Sequence, residues 1–536
     1  MSTISLTIDG RAVAVETGQT VLDAARKLGI DIPTLCYLER CGPMTSCLAC
    51  LVKVQANGQG KLVPSCATKA QAGMVIESET DEVFAARRTA LELLLSDHVG
   101  DCLSPCHRIC PLHLNIPVMI RHIEANQLDE AAKVVRDALP MPSILGRLCH
   151  KPCEHGCRRS ACDQPASIRD MERFVADRDL QMQAADSPPP KPLSGKSVAI
   201  IGAGPAGLAA ADRLVREGHA CTVVDRHPLP GGSLRAEVLD GRLDGQVLKT
   251  EVARILKAGV QLKLSVELGR DISIEGLLRG FDAVLLATGE MNMADAERLG
   301  LAAGPAGIEA DPITWQTSVN RVFATGSAVK PVKQLVRAMA EGVHAAALIH
   351  QYLAAGHLAA RHKPFSSMMG RLEEGELRLF LEGASTAPRV TPAGGAELGF
   401  ANGEAPAEAA RCLHCDCRAA GNCALQHYAE TYRAVPGRFK AERRLFVQHR
   451  QHGHVLFEPG KCILCGICVK LTEQAGEPLG LTFVGRGFDV HIAAPLNHTI
   501  AEGLQKVARE CVEACPTGAL SFRSPPHQVR CSSNPL

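Results

Sequence analysis

Residues 196–226, KSVAIIGAGPAGLAAADRLVREGHACTVVDR, decide the fold of the middle of this chain. An apolar strand runs into a glycine-rich turn, a helix follows, and a second apolar strand ends at Asp225. The spacing Gly202-x-Gly204-x-x-Gly207 is typical of a dinucleotide site. The first glycine allows a tight turn, the second lets the backbone approach a pyrophosphate, and the third lets helix and strand pack closely. The helix N-terminus would face the phosphates, and Asp225 would accept hydrogen bonds from the ribose hydroxyls.

Three downstream segments extend this pattern: PGGSLR (230–235), FDAVLLATG (281–289) and VFATGS (322–327). Together they resemble the flavoprotein reductases, and the resemblance implies bound FAD in a Rossmann-like domain over residues 194–358. Ser327 departs from that family, which has Asp at this position beside the flavin ribityl chain. The resemblance assigns the following residues to the dinucleotide: Gly202, Ala203, Gly204, Pro205, Ala206, Gly207, Asp225, Arg226, Gly231, Gly232 and Gly326.

Cysteine is the outstanding feature of the composition, because the chain has 536 residues and 23 grouped cysteines. The net charge is +1 and aromatic residues make up 3%, so neither a basic field nor stacking platforms favour nucleic acid. The N-terminus shows no secretory pattern, and the apolar stretches carry too many charges to enter a membrane directly. We therefore predict a cytoplasmic protein whose clustered cysteines bind metal rather than form disulfides.

The first cysteine group has the spacing C-x10-C-x2-C-x15-C, which can surround a [2Fe–2S] rhomb with two thiolates for each iron. Residues 1–80 around it alternate as short strands, and Thr20–Gly29 has the pattern of a capped helix. This segment resembles the N-terminal β-grasp ferredoxin domain of the complex I large subunit and of related hydrogenase subunits. Cys41 lies outside the motif and is interpreted as a bystander. The predicted ligands are Cys36, Cys47, Cys50 and Cys66.

The second group lies in a helical stretch, residues 81–186, within DHVGDCLSPCHRICP and GRLCHKPCEHGCRRSAC. These two segments resemble the N-terminal domain of glutamate synthase small subunits and of dihydropyrimidine dehydrogenase, which holds two [4Fe–4S] clusters with interleaved ligands. By position, the resemblance assigns to one cluster Cys110, Cys149, Cys153 and Glu172. It assigns to the other cluster Cys102, Cys106 and Cys157.

The beginning of this second group departs from the family, which opens with C-x2-C, whereas this chain has His98-x3-Cys102. An H-x3-C pair opens the histidine-ligated cluster of the complex I large subunit, so we predict His98 as the fourth ligand. Cys162 is the competing ligand, and a solvent-facing His98 is the alternative without a metal role. Glu172 has a similar alternative as a surface carboxylate on a helix.

Two more cysteine groups follow a linker or extension over residues 359–410, in which 384–410 is predicted as loop. In 411–445 the dense spacing C-x2-C-x-C suits one [4Fe–4S] cluster, with zinc as the alternative; its ligands would be Cys412, Cys415, Cys417 and Cys423. In 446–536 the ferredoxin signature C-x2-C-x2-C…C-P predicts one [4Fe–4S] cluster in a ferredoxin-like domain. That domain resembles the single-cluster module of the complex I large subunit, and its ligands would be Cys462, Cys465, Cys468 and Cys515.

These motifs predict a multidomain protein of α/β and α+β class that binds FAD, one [2Fe–2S] cluster and about four [4Fe–4S] clusters. Glutamate synthase small subunits have a second Rossmann unit for NADPH between the two ATG strands, whereas only residues 290–321 separate them here, and GPAG (304–307) has the pattern of a turn. We therefore predict an oxidoreductase subunit that relays electrons between flavin and clusters, without an assigned catalytic side chain.

The partner of this subunit would be hydrogenase-, formate-dehydrogenase- or ferredoxin-like. Two alternatives stay open. One is a self-sufficient NAD(P)H-dependent reductase of the glutamate synthase type, and the other is a non-catalytic redox sensor or scaffold.

Overall fold

The computed structural model describes residues 2–56, 59–182, 191–358, 365–419, 421–439 and 441–523. The chain forms two compact units. The first unit takes the described residues of Met1–Ser104, Lys363–Gly383 and Cys415–Pro535, and the second takes those of Pro105–His362 and Ala384–His414. The proline-rich run at 187–193 has the composition of a stiff linker, and most of it lies outside the described residues. The mixture of helical and sheet domains confirms the predicted fold class, while the predicted domain boundaries stay predictions.

The N-terminal part of the first unit contains a mixed five-stranded sheet, a separate pair of two-residue strands and two helices. Its elements are β1 (Thr3–Ile8), β2 (Arg11–Glu16), α1 (Val21–Lys27), β3 (Tyr37–Leu38), β4 (Gly42–Pro43), β5 (Leu51–Ala56), β6 (Gln59–Pro64), β7 (Val75–Glu77) and α2 (Asp81–Ser96). The sheet order β2-β1-β7-β5-β6, with α1 against it, is a β-grasp arrangement. Helix α1 begins as predicted, because Thr20 and Asp23 form a reciprocal capping box, and Gly29 leaves the helix at φ 71°.

The second unit opens with a group of short helices that bring cysteines into its core. These helices are α3 (Pro105–Ile109), α4 (Ile116–Glu124), α5 (Leu128–Ala138), α6 (Pro142–Leu148), α7 (Pro152–His155) and α8 (Ile168–Gln181). Helices α4 and α5 lie within the stretch predicted as helical, residues 81–186, and both are amphipathic. Their apolar faces meet α6 and α8 around fully buried residues such as Met119 and Met171.

A doubly wound domain continues the second unit. Its elements are β8 (Ser197–Ile201), α9 (Pro205–Arg216), β9 (Ala220–Asp225), α10 (Leu234–Leu239), α11 (Gly245–Lys257), β10 (Gln261–Leu264), α12 (Ile274–Gly280), β11 (Ala283–Leu286), α13 (Met293–Arg298), β12 (Ala303–Gly304), β13 (Gly307–Ile308), β14 (Val322–Ala324) and α14 (Leu335–Ala355). The strands pair in parallel in the order β10-β9-β8-β11-β14. Helices cover the sheet, which is why its central strands are continuous apolar runs.

The segment between β11 and β14 decides whether a second nucleotide fold is present. Residues 287–321 are all described, and they contain only α13 and the antiparallel pair β12–β13. Gly304 pairs with Gly307, so GPAG is the turn of this ribbon, as predicted. Within these residues the structure therefore has no second βαβ unit.

The remaining elements alternate between the two units. They are α15 (Glu374–Leu381), α16 (Gly395–Leu398), α17 (Glu404–Ala409), α18 (Ala424–Thr431), β15 (Val455–Phe457), α19 (Ile467–Gln474), β16 (Thr482–Val484), β17 (His491–Ala493), α20 (Ile500–Gly503), α21 (Ala508–Ala514) and β18 (Leu520–Phe522). Helices α16 and α17 lie in the segment predicted as loop, where that prediction was wrong because alanine and glutamate favour helix despite the nearby prolines. No helix in the described part of the chain has the length and apolar content needed to cross a membrane.

Candidate metal centres and nucleotide site

The glycine-rich turn before α9 has a shape that only glycine permits. Gly202 has φ 112°, and a Cβ there would lie 2.2 Å from the carbonyl oxygen of Ala287. A Cβ at Gly207 would lie 2.0 Å from the carbonyl oxygen of Gly202. At Gly204, by contrast, the nearest atom to an added Cβ would be 3.9 Å away, so the space in front of α9 is open. The turn therefore fits a phosphate-bearing ligand that approaches the helix N-terminus.

Asp225 holds this turn in place from the end of β9. Its Oδ2 accepts a hydrogen bond from the Ala203 N–H at 2.6 Å, and its Oδ1 accepts one from the His227 N–H at 2.8 Å. A carboxylate has about four acceptor positions, so capacity for a ribose hydroxyl remains.

Most of the other predicted nucleotide residues also lie around the turn. The Gly231 N–H donates to the Ala203 carbonyl at 2.8 Å, and Gly232 lies directly against Gly204. Pro205 and Ala206 form the first turn of α9, Gly326 lies close to Ala206, and the Arg226 side chain is exposed.

Gly342, on α14, is a position that sequence reasoning missed. A Cβ there would lie 2.0 Å from the carbonyl oxygen of Ala206, so α14 packs directly on the first turn of α9. The signal in the sequence was a glycine inside a long apolar helix. Glycine lowers helix stability there, so its presence indicates a close packing contact.

The four thiols of the first cysteine group form two adjacent pairs in the buried interior of the first unit. The Sγ atoms of Cys50 and Cys66 are 3.3 Å apart, and the hydrogen bond between them lowers the pKa of Cys50 to about 6. A hydrogen bond from Cys47 likewise lowers the pKa of Cys36 to about 5. Two hydrogen-bonded pairs of thiols match a rhomb with two thiolates for each iron, since metal binding displaces thiol protons.

Cys41 is not part of this arrangement. Its Sγ is 3.6 Å from Oε1 of Gln474, to which it donates a hydrogen bond, and it is half-buried. The structure thus places it as the sequence suggested, outside the two pairs.

In the second unit, three thiols and one carboxylate of the second group come together. Burial and then the charge of Glu172 raise the pKa of Cys149 to about 12, and both also raise that of Cys153. Burial also raises the pKa of Cys110 to about 11, and the charge of Glu172 acts in the same direction.

Glu172 itself is 7% exposed, and its Oε1 is buried without a hydrogen-bond partner. Burial raises its pKa to about 8. The surface alternative for Glu172 is wrong, and an unpaired buried carboxylate among thiols fits a metal ligand because it is otherwise costly.

The ferredoxin signature of the first unit forms a pocket lined by Cys462, Cys465, Cys468 and Cys515. The Leu464 N–H donates to the Sγ of Cys462 at 3.4 Å, which its left-handed conformation at φ 55° makes possible. Cys511 also lines this pocket, four residues before Cys515 on α21. Sequence reasoning left Cys511 unassigned, and its only signal was that one-turn spacing.

The structure divides the other two predicted ligand sets between the units. His98 and Cys102 belong to the first unit, whereas Cys106 and Cys157 belong to the second. In the fourth group Cys412 belongs to the second unit, and Cys415, Cys417 and Cys423 belong to the first. Cys162, the competing ligand, is exposed. The spacing of cysteines along the chain therefore does not by itself define which of them share a cluster.

The His98 residue is half-buried, and its Nδ1 faces the interior. Its Nδ1 has no exposed surface and no hydrogen-bond partner, and burial, then the charge of Lys461, lowers its pKa to about 3. The imidazole is therefore neutral near pH 7, with a ring nitrogen available to a metal. Among the described residues no three His, Cys, Asp or Glu side chains converge as they would on a single ion. A cluster holds its ligands farther apart, because iron and sulfide stand between them.

Three protein-family models match the chain in sequence. Residues 1–81 match a 2Fe-2S iron-sulfur cluster binding domain, and residues 96–184 match the 4Fe-4S cluster domain II of dihydropyrimidine dehydrogenase. Residues 200–261 match an NAD(P)-binding Rossmann-like domain. The three matches follow the order of the predicted modules.

Curated relatives share these modules. The NADPH-Fe(3+) oxidoreductase subunit beta of Geobacter sulfurreducens is 39% identical over 188 residues, 35% of this chain and 28% of that protein. The glutamate synthase [NADPH] small chain of Escherichia coli is 34% identical over 197 residues, 36% of this chain and 42% of that protein. The resemblance to the glutamate synthase small chain is confirmed.

A third relative is the NADP(+)-dependent formate dehydrogenase subunit beta of Moorella thermoacetica. It is 35% identical over 220 residues, which are 37% of this chain and 31% of that protein. The chain thus matches between 28% and 42% of the length of these three relatives. Among solved structures, an NAD+-reducing [NiFe]-hydrogenase aligns over 98% of this chain and 91% of its own, at 12% identity and a TM-score of 0.36.

Proposed function

We propose that the chain is an FAD- and iron–sulfur-dependent oxidoreductase subunit that relays electrons between a flavin and a series of clusters within a larger redox complex. The names of its relatives support this, since they are subunits or chains of oxidoreductases. The partner would be a formate-dehydrogenase-, hydrogenase- or ferredoxin-like protein, and it would carry the site for the final substrate.

The observation that carries the proposal is one continuous apolar cluster in the first unit. It contains thiols from the [2Fe–2S] motif, from the ferredoxin motif and from the segment between them, including Cys36, Cys465 and Cys102. The charge of Cys36 adds to burial in raising the pKa of Cys465 to about 12, so these two groups lie within electrostatic range. Closely spaced centres in a dry interior suit electron transfer, whereas a sensor needs only one of them.

The second unit supplies the other half of the relay. Its core joins Cys110, Cys149 and Cys153 to the buried strands β8 and β9 of the Rossmann-like sheet. Bound FAD would supply exchange between two-electron and one-electron steps. The chain contributes the turn at Gly202–Gly207, which positions the dinucleotide, and the buried thiols, which hold clusters away from water.

Anaerobic titration of the purified holoprotein tests this function. We expect dithionite, but neither NADH nor NADPH, to bleach the flavin and produce cluster EPR signals, because residues 287–321 contain no second nucleotide fold. If either nucleotide reduces flavin and clusters within seconds, the chain is a self-sufficient reductase instead. A protein purified without flavin and iron under anaerobic conditions would contradict the proposal entirely.

Flavin binding can be separated from folding at Gly204. Gly204→Ala adds a methyl group that meets no protein atom closer than 3.9 Å, but the methyl projects into the space in front of α9. We expect the variant to fold normally and to bind FAD at least about tenfold more weakly, a loss of about 1.4 kcal/mol. Flavin content after purification and FAD titration measure the effect. Gly280→Ala, also in open space within this unit, is the control that should retain flavin.

A further inference from the structure

Three thiols from distant parts of the sequence meet in the first unit. The Cys417 N–H donates to the carbonyl oxygen of Cys102 at 3.3 Å. The negative charges of Cys417 and Cys102 each add to the effect of burial, which raises the pKa of Cys423 to about 12. The Cys102 and Cys423 sulfurs also accept backbone hydrogen bonds, from Ser367 and Gln426, both at 3.4 Å. Hydrogen bonds from N–H groups to ligand sulfurs are one way in which a protein sets the reduction potential of an iron–sulfur cluster.

The segment that carries His98 contacts the residues just before the ferredoxin motif. It packs on the residues before Cys462, because the Val99 N–H donates to the carbonyl oxygen of Gly460 at 2.7 Å. The stem of Lys461 runs past Gly100, where an added Cβ would lie 2.6 Å from the Lys461 Cε. Burial shifts the pKa values of His98, Cys102 and Cys417 most, and the charge of Lys461 acts on all three. The Lys461 side chain that passes Gly100 therefore connects the His98 segment with the two thiols. The Nδ1 of His98 is itself buried and has no hydrogen-bond partner.

Lys461 also indicates that this place holds negative charge. Its side chain is 2% exposed, and it pairs with the buried Glu458. Burial of an ammonium group is costly unless anionic partners compensate. The charge of Cys417 is one of those partners, together with Glu458. An anionic metal cluster with thiolate ligands would compensate the buried ammonium group more fully than these two side chains do.

We propose that His98, Cys102, Cys417 and Cys423 ligate one [4Fe–4S] cluster inside the first unit. Three thiolates and one imidazole nitrogen supply one ligand for each iron. This set takes two members from each of two sequence groups, and it replaces the sets predicted from spacing for both. The inference rests on the proposed presence of clusters and adds to it the identity of one site.

The site would be the neighbour of the ferredoxin cluster. The Sγ of Cys423 lies 3.5 Å from the carbonyl oxygen of Pro516, which follows the ligand Cys515. An added Cβ at Gly518 would lie 3.3 Å from the Sγ of Cys417. The loop 515–518 therefore borders both groups of thiols, and an electron could pass across it.

Iron analysis of single and double variants tests this ligand set. Cys102→Ala and Cys417→Ala should each lose the iron and sulfide of one cubane, and the double variant should lose no more than either single variant. If the spacing-based sets are right, the outcome reverses: the double variant loses two cubanes, because Cys102 and Cys417 then serve different clusters, and this would overturn the inference.

Native mass spectrometry and the [2Fe–2S] EPR signal keep this test independent of misfolding. The [2Fe–2S] signal reports that the first unit is folded, and Cys41→Ala is the matched control that should lose no iron. A wild-type protein without clusters would refute the proposed function, whereas intact clusters with the reversed pattern would refute only this ligand set.

The role of His98 as a ligand can be tested separately, by the reduction potential and the EPR spectrum of the cluster. His98→Cys should keep the iron of the cubane and lower its reduction potential, because a thiolate replaces a neutral imidazole and adds negative charge. His98→Ala should weaken or remove the same cluster, as counted by EPR. If both variants leave iron content, potential and EPR spectrum unchanged, His98 is not a ligand.

Discussion

Cys66→Ala is expected to abolish the [2Fe–2S] centre completely while the remaining clusters stay loaded. Cys66 lies 3.3 Å from Cys50, sulfur to sulfur, and is 1% exposed, so alanine at this buried position leaves one iron without its second thiolate. A rhomb with three thiolates loses one iron ligand and with it the assembly of the cluster. The effect should be all-or-none rather than graded.

EPR of the dithionite-reduced protein measures this loss. The wild-type protein should show a [2Fe–2S] signal that titrates near about −400 mV, the range of plant-type ferredoxins. Cys66→Ala should lack it, and its iron content should fall by that of one rhomb. Cys41→Ala is the control in the same domain, since Cys41 contacts Gln474 instead of the two pairs. A [2Fe–2S] signal that survives in Cys66→Ala would contradict the ligand assignment.

Arg411→Ala is expected to destabilise the second unit by about 3–5 kcal/mol, because it removes one partner of a fully buried ion pair. The Arg411 guanidinium donates to Glu408 at 2.7 Å and to the Ala387 carbonyl at 2.9 Å, and neither charged side chain is exposed. Glu408 also accepts hydrogen bonds from the N–H groups of Ser167 and Val390. Truncation would leave this carboxylate buried and uncompensated.

Tryptophan fluorescence reports this unfolding selectively, because Trp315 is the one tryptophan of the sequence and lies in the second unit. The urea midpoint of Arg411→Ala should fall well below that of the wild type. Arg270→Ala is the control, since that arginine is 67% exposed and its ion pairs contribute at most about 1 kcal/mol. A double variant, Arg411→Met with Glu408→Gln, should recover part of the loss, because the amide removes the buried charge while its oxygen still accepts one of the two N–H hydrogen bonds. Equal midpoints for Arg411→Ala and Arg270→Ala would contradict this prediction.

The structure brings the predicted residues together where local structure holds them. The pairs around Cys36 and Cys50 depend on one loop and the adjoining strands, and the turn at Gly202 depends on one strand and one helix. In such places spacing translates directly into geometry, because few residues intervene. The same holds for the capped helix after Thr20 and for the turn at GPAG.

Spacing is a weaker guide where partners are remote in sequence. Nothing in the segment around Cys102 indicates that the backbone of Cys417 will bond to it, since a tertiary contact of this separation has no periodicity. Resemblance to known motifs then favours the nearest cysteines. The burial of Glu172 and of the His98 Nδ1 could not be predicted either, because a single histidine or glutamate has the same sequence signature on a surface as in a core.

The discontinuity of the first unit has a consequence for biogenesis. Its three segments are interrupted by Pro105–His362 and by Ala384–His414, so a ribosome synthesises nearly all of the second unit before it completes the first. Domains fold as units during synthesis, and the N-terminal β-grasp sheet, with all four of its thiols, is available early. The ligands after residue 414 emerge last. Cluster insertion would therefore proceed in at least two stages, and a protein truncated before Cys415 would keep the thiols of the first rhomb while lacking the partners of Cys102.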